Sequence, residues 1–211
     1  MRCFDDLYGW KRLGGNCSHE YIIPIITRKI QGLSDAIKKP LKILDLGCGN
    51  GFVASKLAEL GHCVIGVDSF PRGIEIPRSL YPHVQFETCS IYDEGLINAI
   101  PRWFDCVISV EVLEHLFYPI KLFEQGYRLL RPGGHIIVST PYHGYLKNLI
   151  ISLVDGWDLH FEVDCDGGHI KFFSKATCKR MASEAGFRNV KFEGVGRIPW
   201  LWKSIVLIAE K

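Results

Sequence analysis

The run Asp45-Leu46-Gly47-Cys48-Gly49-Asn50-Gly51 follows an apolar, strand-like stretch and leads into a helix-like one. Glycines at such a junction permit a tight turn and let a ligand lie against bare backbone. The helix start beyond them offers unpaired N–H groups. The spacing is G-x-G-x-G, with an acid two residues ahead of the first glycine. A dinucleotide fingerprint asks for G-x-G-x-x-G, and Phe52 stands where its third glycine would be. A side chain of that bulk hinders the close approach of a pyrophosphate. Asp68 ends the next apolar run, about 20 residues past the loop, where an acid accepts hydrogen bonds from a ribose diol. Its other reading is a turn acid in Val67-Asp68-Ser69-Phe70-Pro71. Loop and acid together point to a ligand that carries adenosine.

A second set of reactive side chains lies further on. Tyr142 and His143 directly follow the fifth apolar run, and His160 and His169 flank Glu162, Asp164 and Asp166. A neutral imidazole is poised to take a proton near pH 7, so His143 is the leading base candidate and His169 the second. The competing reading for each is a histidine that only hydrogen-bonds within a loop. The spacing H160-x-E-x-D-x-D166 offers one imidazole and three carboxylates, a set suited to magnesium, manganese or zinc. Exposed acidic loops usually bind nothing, and no residue is assigned as a metal ligand. Trp10, Lys11, Arg12, His19 and Tyr21 mix aromatic and cationic groups that either meet a ligand carboxylate or simply pack.

Positioning these groups takes an alternation of strands and helices. The apolar runs LKILDLG (41–47), CVIGVD (63–68), VQFETC (84–89), FDCVISV (104–110), HIIVST (135–140), VKFEGVG (190–196) and SIVLIAEK (204–211) read as strands. Helical segments separate the first five. GFVASKLAEL stops at Gly61, a short helix or turn is chopped by Pro71 and Pro77, and Ile120 to Leu130 closes at Arg131-Pro132-Gly133-Gly134. Ser174 is an N-cap candidate for Lys175 to Ala185, with Gly186 as its stop. The expected fold is α/β: a Rossmann-like, doubly wound, mostly parallel seven-stranded sheet with helices on both faces and strand seven antiparallel. Residues 1–211 make one domain, with an N-terminal helical segment at 1–40 and an acceptor-covering insertion at 141–173.

The ordered motifs LDLGCGNG, GVD, FDCVISVEVLEHL and LLRPGGHIIVSTP resemble those of class I S-adenosylmethionine-dependent methyltransferases over residues 41–141. The chain is similar to the branch holding ubiquinone-biosynthesis O-methyltransferases, and GHIKFFSKATCKRMASEAGF (168–187) resembles a downstream stretch of that group. The resemblance implies S-adenosylmethionine as methyl donor and S-adenosylhomocysteine as product. It implies that Asp45, Gly47, Cys48 and Gly49 line the methionine part, that Asp68 holds the ribose, and that Ser69 flanks the adenine. Family members often carry an acid after the third strand. Cys89-Ser90-Ile91 stands there instead, leaving Ser90, Ile91 or backbone to meet the adenine. Val110 and Glu111 fall near the methionine end. His115, in the Leu113-Glu114-His115-Leu116 turn, is expected to cap or pack. His169 matches a family histidine that precedes FFS.

The expected reaction is methyl transfer to a small molecule, at a hydroxyl, with RNA or protein acceptors as the alternative. A net charge of +2 gives no electrostatic case for nucleic acid. The Asp/Asn-Pro-Pro-Tyr-like motif used on amino groups is absent after strand four, where SVEVLEH stands. Leu146, Leu149, Ile150, Leu153 and Val154 share a helix face, with Ile151, Trp157 and Lys147 beside them. They form either a lid over the acceptor or a peripheral membrane contact through 145–157. The eight cysteines include no C-x-x-C pair, and the start of the chain has no long apolar run. Reduced thiols and a cytoplasmic location are expected.

Overall fold

The computed structural model describes residues 18–101, 103–161 and 168–211. Seven strands form one sheet in the order β3-β2-β1-β4-β5-β7-β6. Helix α1 (His19–Ile37) leads into β1 (Lys42–Leu46), α2 (Phe52–Glu59), β2 (Cys63–Asp68), α3 (Pro71–Leu80) and β3 (Gln85–Thr88). A short α4 (Leu96–Ala99), β4 (Phe104–Val110), a 3₁₀ turn (Leu113–His115), α5 (Ile120–Leu129) and β5 (Leu130–Pro141) follow. The chain ends with α6 (Tyr145–Leu153), α7 (Trp157–Phe161), α8 (Lys175–Glu184), β6 (Arg188–Val195) and β7 (Ser204–Glu210). Strands β1 to β5 run parallel, and β7 runs antiparallel to both β5 and β6.

Successive side chains of a strand point to opposite faces, and here each face has its own core. Leu44, Leu46, Phe104, Val107, Ile136, Val138, Ile205 and Leu207 pack with α5 and α8 through Leu122, Phe123, Cys178 and Met181. Ile43, Cys106, Ile108, Ile137 and Val206 pack on the other face with Ile22, Ile26 and Ile30 of α1, Leu57 of α2 and Ile74 of α3. The central strand β4 is buried along its whole length, as a parallel strand covered on both faces must be. Ser174 caps α8 reciprocally with Thr177, and Gly186 takes a φ of 103° just past it.

The elements match the sequence expectations with instructive exceptions. Pro71–Leu80 is one helix: Pro71 opens it with a φ pre-set for the helix, and Pro77 stands inside it without a backbone N–H to give. Arg131-Pro132-Gly133-Gly134 lies inside β5 rather than ending a helix. Gly133, at φ 70°, bends the strand there and its N–H bonds Lys211, while the Lys211 N–H bonds Gly134. The short helices α4 and α7 occupy stretches with too little periodicity to announce them. Among the described residues, Cys48, Cys63, Cys89, Cys106 and Cys178 are unpaired, and no helix is long and apolar enough to cross a membrane.

Behind the sheet, Asp105 is 7% exposed. It accepts hydrogen bonds from Lys42 N–H at 2.9 Å and Arg131 Nε at 2.6 Å, with Lys39 Nζ at 3.8 Å. Burial works against its charge, but those donors outweigh burial and hold the carboxyl below its ordinary value. The contact ties the start of β1 to the start of β5 through β4. Asp105→Asn is expected to lower stability by about 1.5–3 kcal/mol at neutral pH in urea unfolding. A lowered carboxyl pKa contributes stability above the unfolded value and loses it as pH falls through the folded one, so the gap between wild type and variant narrows as pH falls below the ordinary carboxylate range.

Candidate active site

The glycine loop is held to β2 by its own backbone. Gly47 and Cys48 both donate N–H to the Val67 carbonyl, at 2.8 and 3.0 Å. Gly49 donates to Asp68 Oδ2 at 3.0 Å, and the Asp68 Oδ1 accepts from Phe70 N–H at 3.1 Å. Gly47, Gly49 and Gly51 all adopt positive φ, at 80°, 51° and 74°. A Cβ on Gly47 would lie 2.5 Å from Val112 Cγ2, whereas one on Gly49 would meet nothing within 4 Å. The loop is therefore packed hard on its sheet side at Gly47 and open at Gly49, where a ligand can approach.

Asp45 sits beneath this loop, 1% exposed, and its Oδ2 has no hydrogen-bond partner. Burial, and then repulsion from Asp68, push its carboxyl up to about 8. Burial also raises Asp68, against the pull of the Gly49, Phe70 and Ser69 N–H groups. Two acids that face one loop, one of them orphaned, match a cationic ammonium and a ribose diol. Cys48 is buried and its thiol is pushed well up by burial, so it acts as a small apolar wall.

On the β3 side, Ile91 is buried and Ser69 is exposed. Ser90 donates its N–H to Asp93 Oδ2 at 3.0 Å and accepts from Tyr92 N–H at 3.1 Å. Asp93 also lies 3.7 Å from Cys89 Sγ. An acid, Asp93, thus lies beside Ser90, three residues later, in a turn that folds back on it. The sequence does place an acid in Tyr92-Asp93-Glu94, but only the turn brings it back to the edge.

The carboxyl ends of β4 and β5 hold the second half of the site. Val110 is buried, and Glu111 follows it at φ 53°. Ser139 Oγ donates to Glu111 Oε1 at 2.9 Å and Ser204 Oγ to Oε2 at 3.2 Å. Burial raises the Glu111 carboxyl to about 7 against the two serines and Lys147. Glu111 thus turns its carboxylate onto β5 and β7. Glu114 is 1% exposed, accepts from Thr140 Oγ1 at 3.0 Å and has no partner on Oε1. Burial, reinforced by Glu111, drives its carboxyl well up.

His169 Nε2 lies 3.9 Å from that orphaned Glu114 oxygen. His115 packs edge-on to His169, with centroids 5.1 Å apart, and its Nδ1 lies 3.3 Å from the Gly168 carbonyl. One ligand atom from each of Glu114, His115 and His169 falls within 4.8 Å of the others. With Nδ1–H of His115 on a carbonyl, Nε2 keeps its lone pair. This trio was not foreseen from sequence: Glu114-His115 read as a turn, and His169 lies far along the chain. The acidic stretch that was considered for a metal, Glu162, Asp164 and Asp166, lies outside the described residues, as do Trp10, Lys11 and Arg12. His19 of the N-terminal set stacks on Phe52, with centroids 5.6 Å apart, at the start of α2.

His143, by contrast, is 8% exposed beside Phe161, Phe172 and His160, with centroids 5.4, 5.0 and 6.2 Å away. Burial, then Lys147, lowers its pKa to about 4. His169 is lowered to about 4 as well, by burial and then His115. Both imidazoles are neutral at pH 7, each with a ring lone pair, and burial makes each a weaker base than a free histidine. Helix α6 covers this corner with an inverted face: Lys147 and Ile151 are buried, while Tyr145, Leu153 and Val154 are 84%, 75% and 69% exposed.

The family described as "Methyltransferase domain" matches residues 18–191. The chain belongs to the class I S-adenosylmethionine-dependent methyltransferases. It is 32% identical over 160 residues to the ubiquinone biosynthesis O-methyltransferase of Thiobacillus denitrificans, covering 73% of this chain and 67% of that one. The mouse mitochondrial ubiquinone biosynthesis O-methyltransferase is 33% identical over 112 residues, 48% of this chain and 30% of the relative. The methyltransferase thus spans two thirds or less of these relatives' lengths. Its fold matches a SAM-dependent methyltransferase from Archaeoglobus fulgidus at TM-score 0.68 and 20% identity, over 99% of this chain and all of that one. It also matches magnesium protoporphyrin IX methyltransferase from Synechocystis, solved with bound SAH, at TM-score 0.66 and 18% identity, over 90% and 83% of the two chains.

Asp45→Asn tests the donor half of the site. The unfolded carboxyl titrates near its ordinary value of about 4, and the folded one near about 8. A raised carboxyl pKa makes ionisation destabilising, so the ligand-free wild type loses stability relative to Asp45→Asn as pH rises between those values. Calorimetric melting across that window checks it. In the same variant, affinity for S-adenosylmethionine is expected to fall at least tenfold, about 1.4 kcal/mol. Unchanged affinity would remove Asp45 from the site.

Proposed function

We propose that this methyltransferase moves the methyl group of S-adenosylmethionine onto a hydroxyl of a small molecule. The carrying observation is the meeting, at one sheet edge, of the orphaned Asp45 carboxyl under an open glycine loop with two neutral imidazoles, buried His143 and exposed His169, and the orphaned Glu114. The first would hold the donor's ammonium, Asp68 its ribose, and the Ser90–Asp93 turn and Ile91 its adenine. S-adenosylmethionine supplies a methyl on a sulfonium that is already a strong electrophile. The chain's own residues hold the acceptor oxygen in line with that methyl and take the hydroxyl proton. His143 and His169 are the groups for that proton, being neutral, and the relatives named O-methyltransferases support oxygen as the acceptor atom.

Glu114, His115 and His169 would also fit one divalent cation, since the unpartnered Glu114 Oε1 and two imidazoles offer a mixed oxygen and nitrogen set. Such an ion would act as a Lewis acid on the acceptor hydroxyl. The outward apolar face of α6, with Leu146, Leu149, Ile150, Leu153 and Val154 at 39–75% exposure and Trp157 beyond it, supports contact with a lipid surface during acceptor capture.

Incubation with methyl-labelled donor and fractionated lysate is expected to label the small-molecule or lipid fraction. Label confined to RNA or protein would overturn the acceptor assignment. Chelation followed by dialysis is expected to cut the rate at least tenfold, with recovery on adding back Mg²⁺, Mn²⁺ or Zn²⁺, and an unaffected rate would exclude the cation. In flotation with anionic liposomes the protein is expected to rise with the vesicles and Leu153→Glu to stay below. Equal behaviour of the two would remove the lipid contact.

A further inference from the structure

At the opposite end of the strands from the glycine loop, His62 sits between α2 and β2, 7% exposed. Its Nδ1 accepts the Leu41 N–H at 3.2 Å. The hydrogen bond at one ring nitrogen sets the tautomer at the other, so the proton of the neutral ring is on Nε2. Burial keeps the ring neutral by lowering its pKa. Nε2 is buried and has no hydrogen-bond partner. Buried donors in native proteins are ordinarily paired, and leaving one unpaired costs about 1–3 kcal/mol. The Leu41 carbonyl in turn accepts from Cys63 N–H at 2.9 Å, so the ring is locked where β1 and β2 begin.

His62 lines a cleft of about 400 Å³ between the end of α1 and the turn that follows α2. That volume falls in the range of small-molecule sites. Lys38 and Lys39 border the cleft from the side of α1. Lys38 ends that helix in a left-handed conformation, at φ 54°, and its side chain is exposed. Among the described residues no acid pairs with it. Lys39 reaches Asp105 at 3.8 Å. The one acid on the cleft, Asp35, accepts from Gln31 Nε2 at 2.8 Å, and Ser34 Oγ donates to the Lys39 carbonyl at 2.7 Å. Those polar groups find partners within the chain, whereas the His62 N–H and the Lys38 ammonium do not. Pro40 and Leu60 add apolar surface to the same cleft.

We propose that this cleft is a second ligand site, for a small organic carboxylate. One carboxylate oxygen accepts the His62 Nε2–H, Lys38 meets its charge, and a short apolar body lies on Pro40 and Leu60. The cleft is at the start of β1, roughly 15 Å of strand away from the glycine loop at its end. Its ligand is therefore neither the donor nor the acceptor of the methyl group, and the inference stands apart from the hydroxyl-methylation reading.

The test is an amide NMR titration of the full chain with butyrate, its uncharged match butyramide, and inorganic phosphate as probes. Butyrate is expected to give saturable shifts at Lys39, Gly61 and His62, and to bind at least about tenfold more tightly than butyramide. His62→Asn keeps an acceptor for the Leu41 N–H and withdraws the outer donor, and is expected to weaken butyrate about tenfold. Lys38→Gln is expected to weaken it about two- to fivefold. Lys38 is exposed, so its variant reports on the cleft even where His62→Asn perturbs folding. S-adenosylhomocysteine affinity is expected to stay unchanged in Lys38→Gln, and a loss there would overturn the separation of the two sites. Shifts that do not saturate, equal binding of butyrate and butyramide, or wild-type butyrate affinity in Lys38→Gln overturns the site. Tighter binding of phosphate than of butyrate overturns its assignment to an organic carboxylate.

Discussion

The rest of the site depends on the hydrogen bonds that tie the glycine loop to β2. The Val67 carbonyl takes two N–H groups from Gly47 and Cys48, and the Asp68 carboxylate takes a third from Gly49. These bonds fix a segment in which three glycines take φ values that most side chains avoid. They also set Asp68 against the loop it serves. Parallel pairing of β1 with β2, from Lys42 opposite Cys63 to Leu46 opposite Val67, is what puts those carbonyl and carboxylate oxygens within reach. The two candidate acids thus inherit their positions from strand register, in the crevice outside the carboxyl ends of the strands where open α/β sheets bind ligands.

Placed there, the acids are held at a disadvantage. Asp45 and Glu114 are buried with one oxygen each unsatisfied, and buried polar groups in native proteins are ordinarily paired. Each such orphan has an oxygen left to accept a hydrogen bond. Both lie at the ends of neighbouring strands, Asp45 on β1 and Glu114 just past β4, so one donor molecule and one acceptor can meet between them. Stability at this edge is spent on function, as sites of this kind commonly do.

Much of the fold was legible because its strands are short apolar runs broken by glycine, proline and helix periodicity. The candidates for the donor half follow from the strands for a related reason: the loop, Asp68, Ser90, Ile91 and Val110 are each adjacent in sequence to a strand end, so locating the strand locates the residue. The acceptor half was not. Glu114, His115 and His169 come together only because Ile170 and Lys171 hydrogen-bond the Glu114 carbonyl, a contact between distant segments that no local pattern carries. The direction of the α6 face was equally hidden. Its apolar spacing fitted either a lid over the acceptor or an outward lipid contact, and in the fold Lys147 at i and Ile151 at i+4 point in while the apolar stripe faces out. Helical periodicity reports that a face exists and says nothing of which way it is turned.

The most direct measurement is a crystal structure of the protein with S-adenosylhomocysteine. The account predicts the ligand's ammonium within hydrogen-bond distance of the Asp45 carboxylate, its ribose hydroxyls on Asp68, its adenine against Ile91 and the Ser90–Asp93 turn, and its sulfur directed toward the corner held by His143 and His169. A ligand seated elsewhere on the sheet edge, or one that leaves Asp45 Oδ2 without a partner, would contradict it.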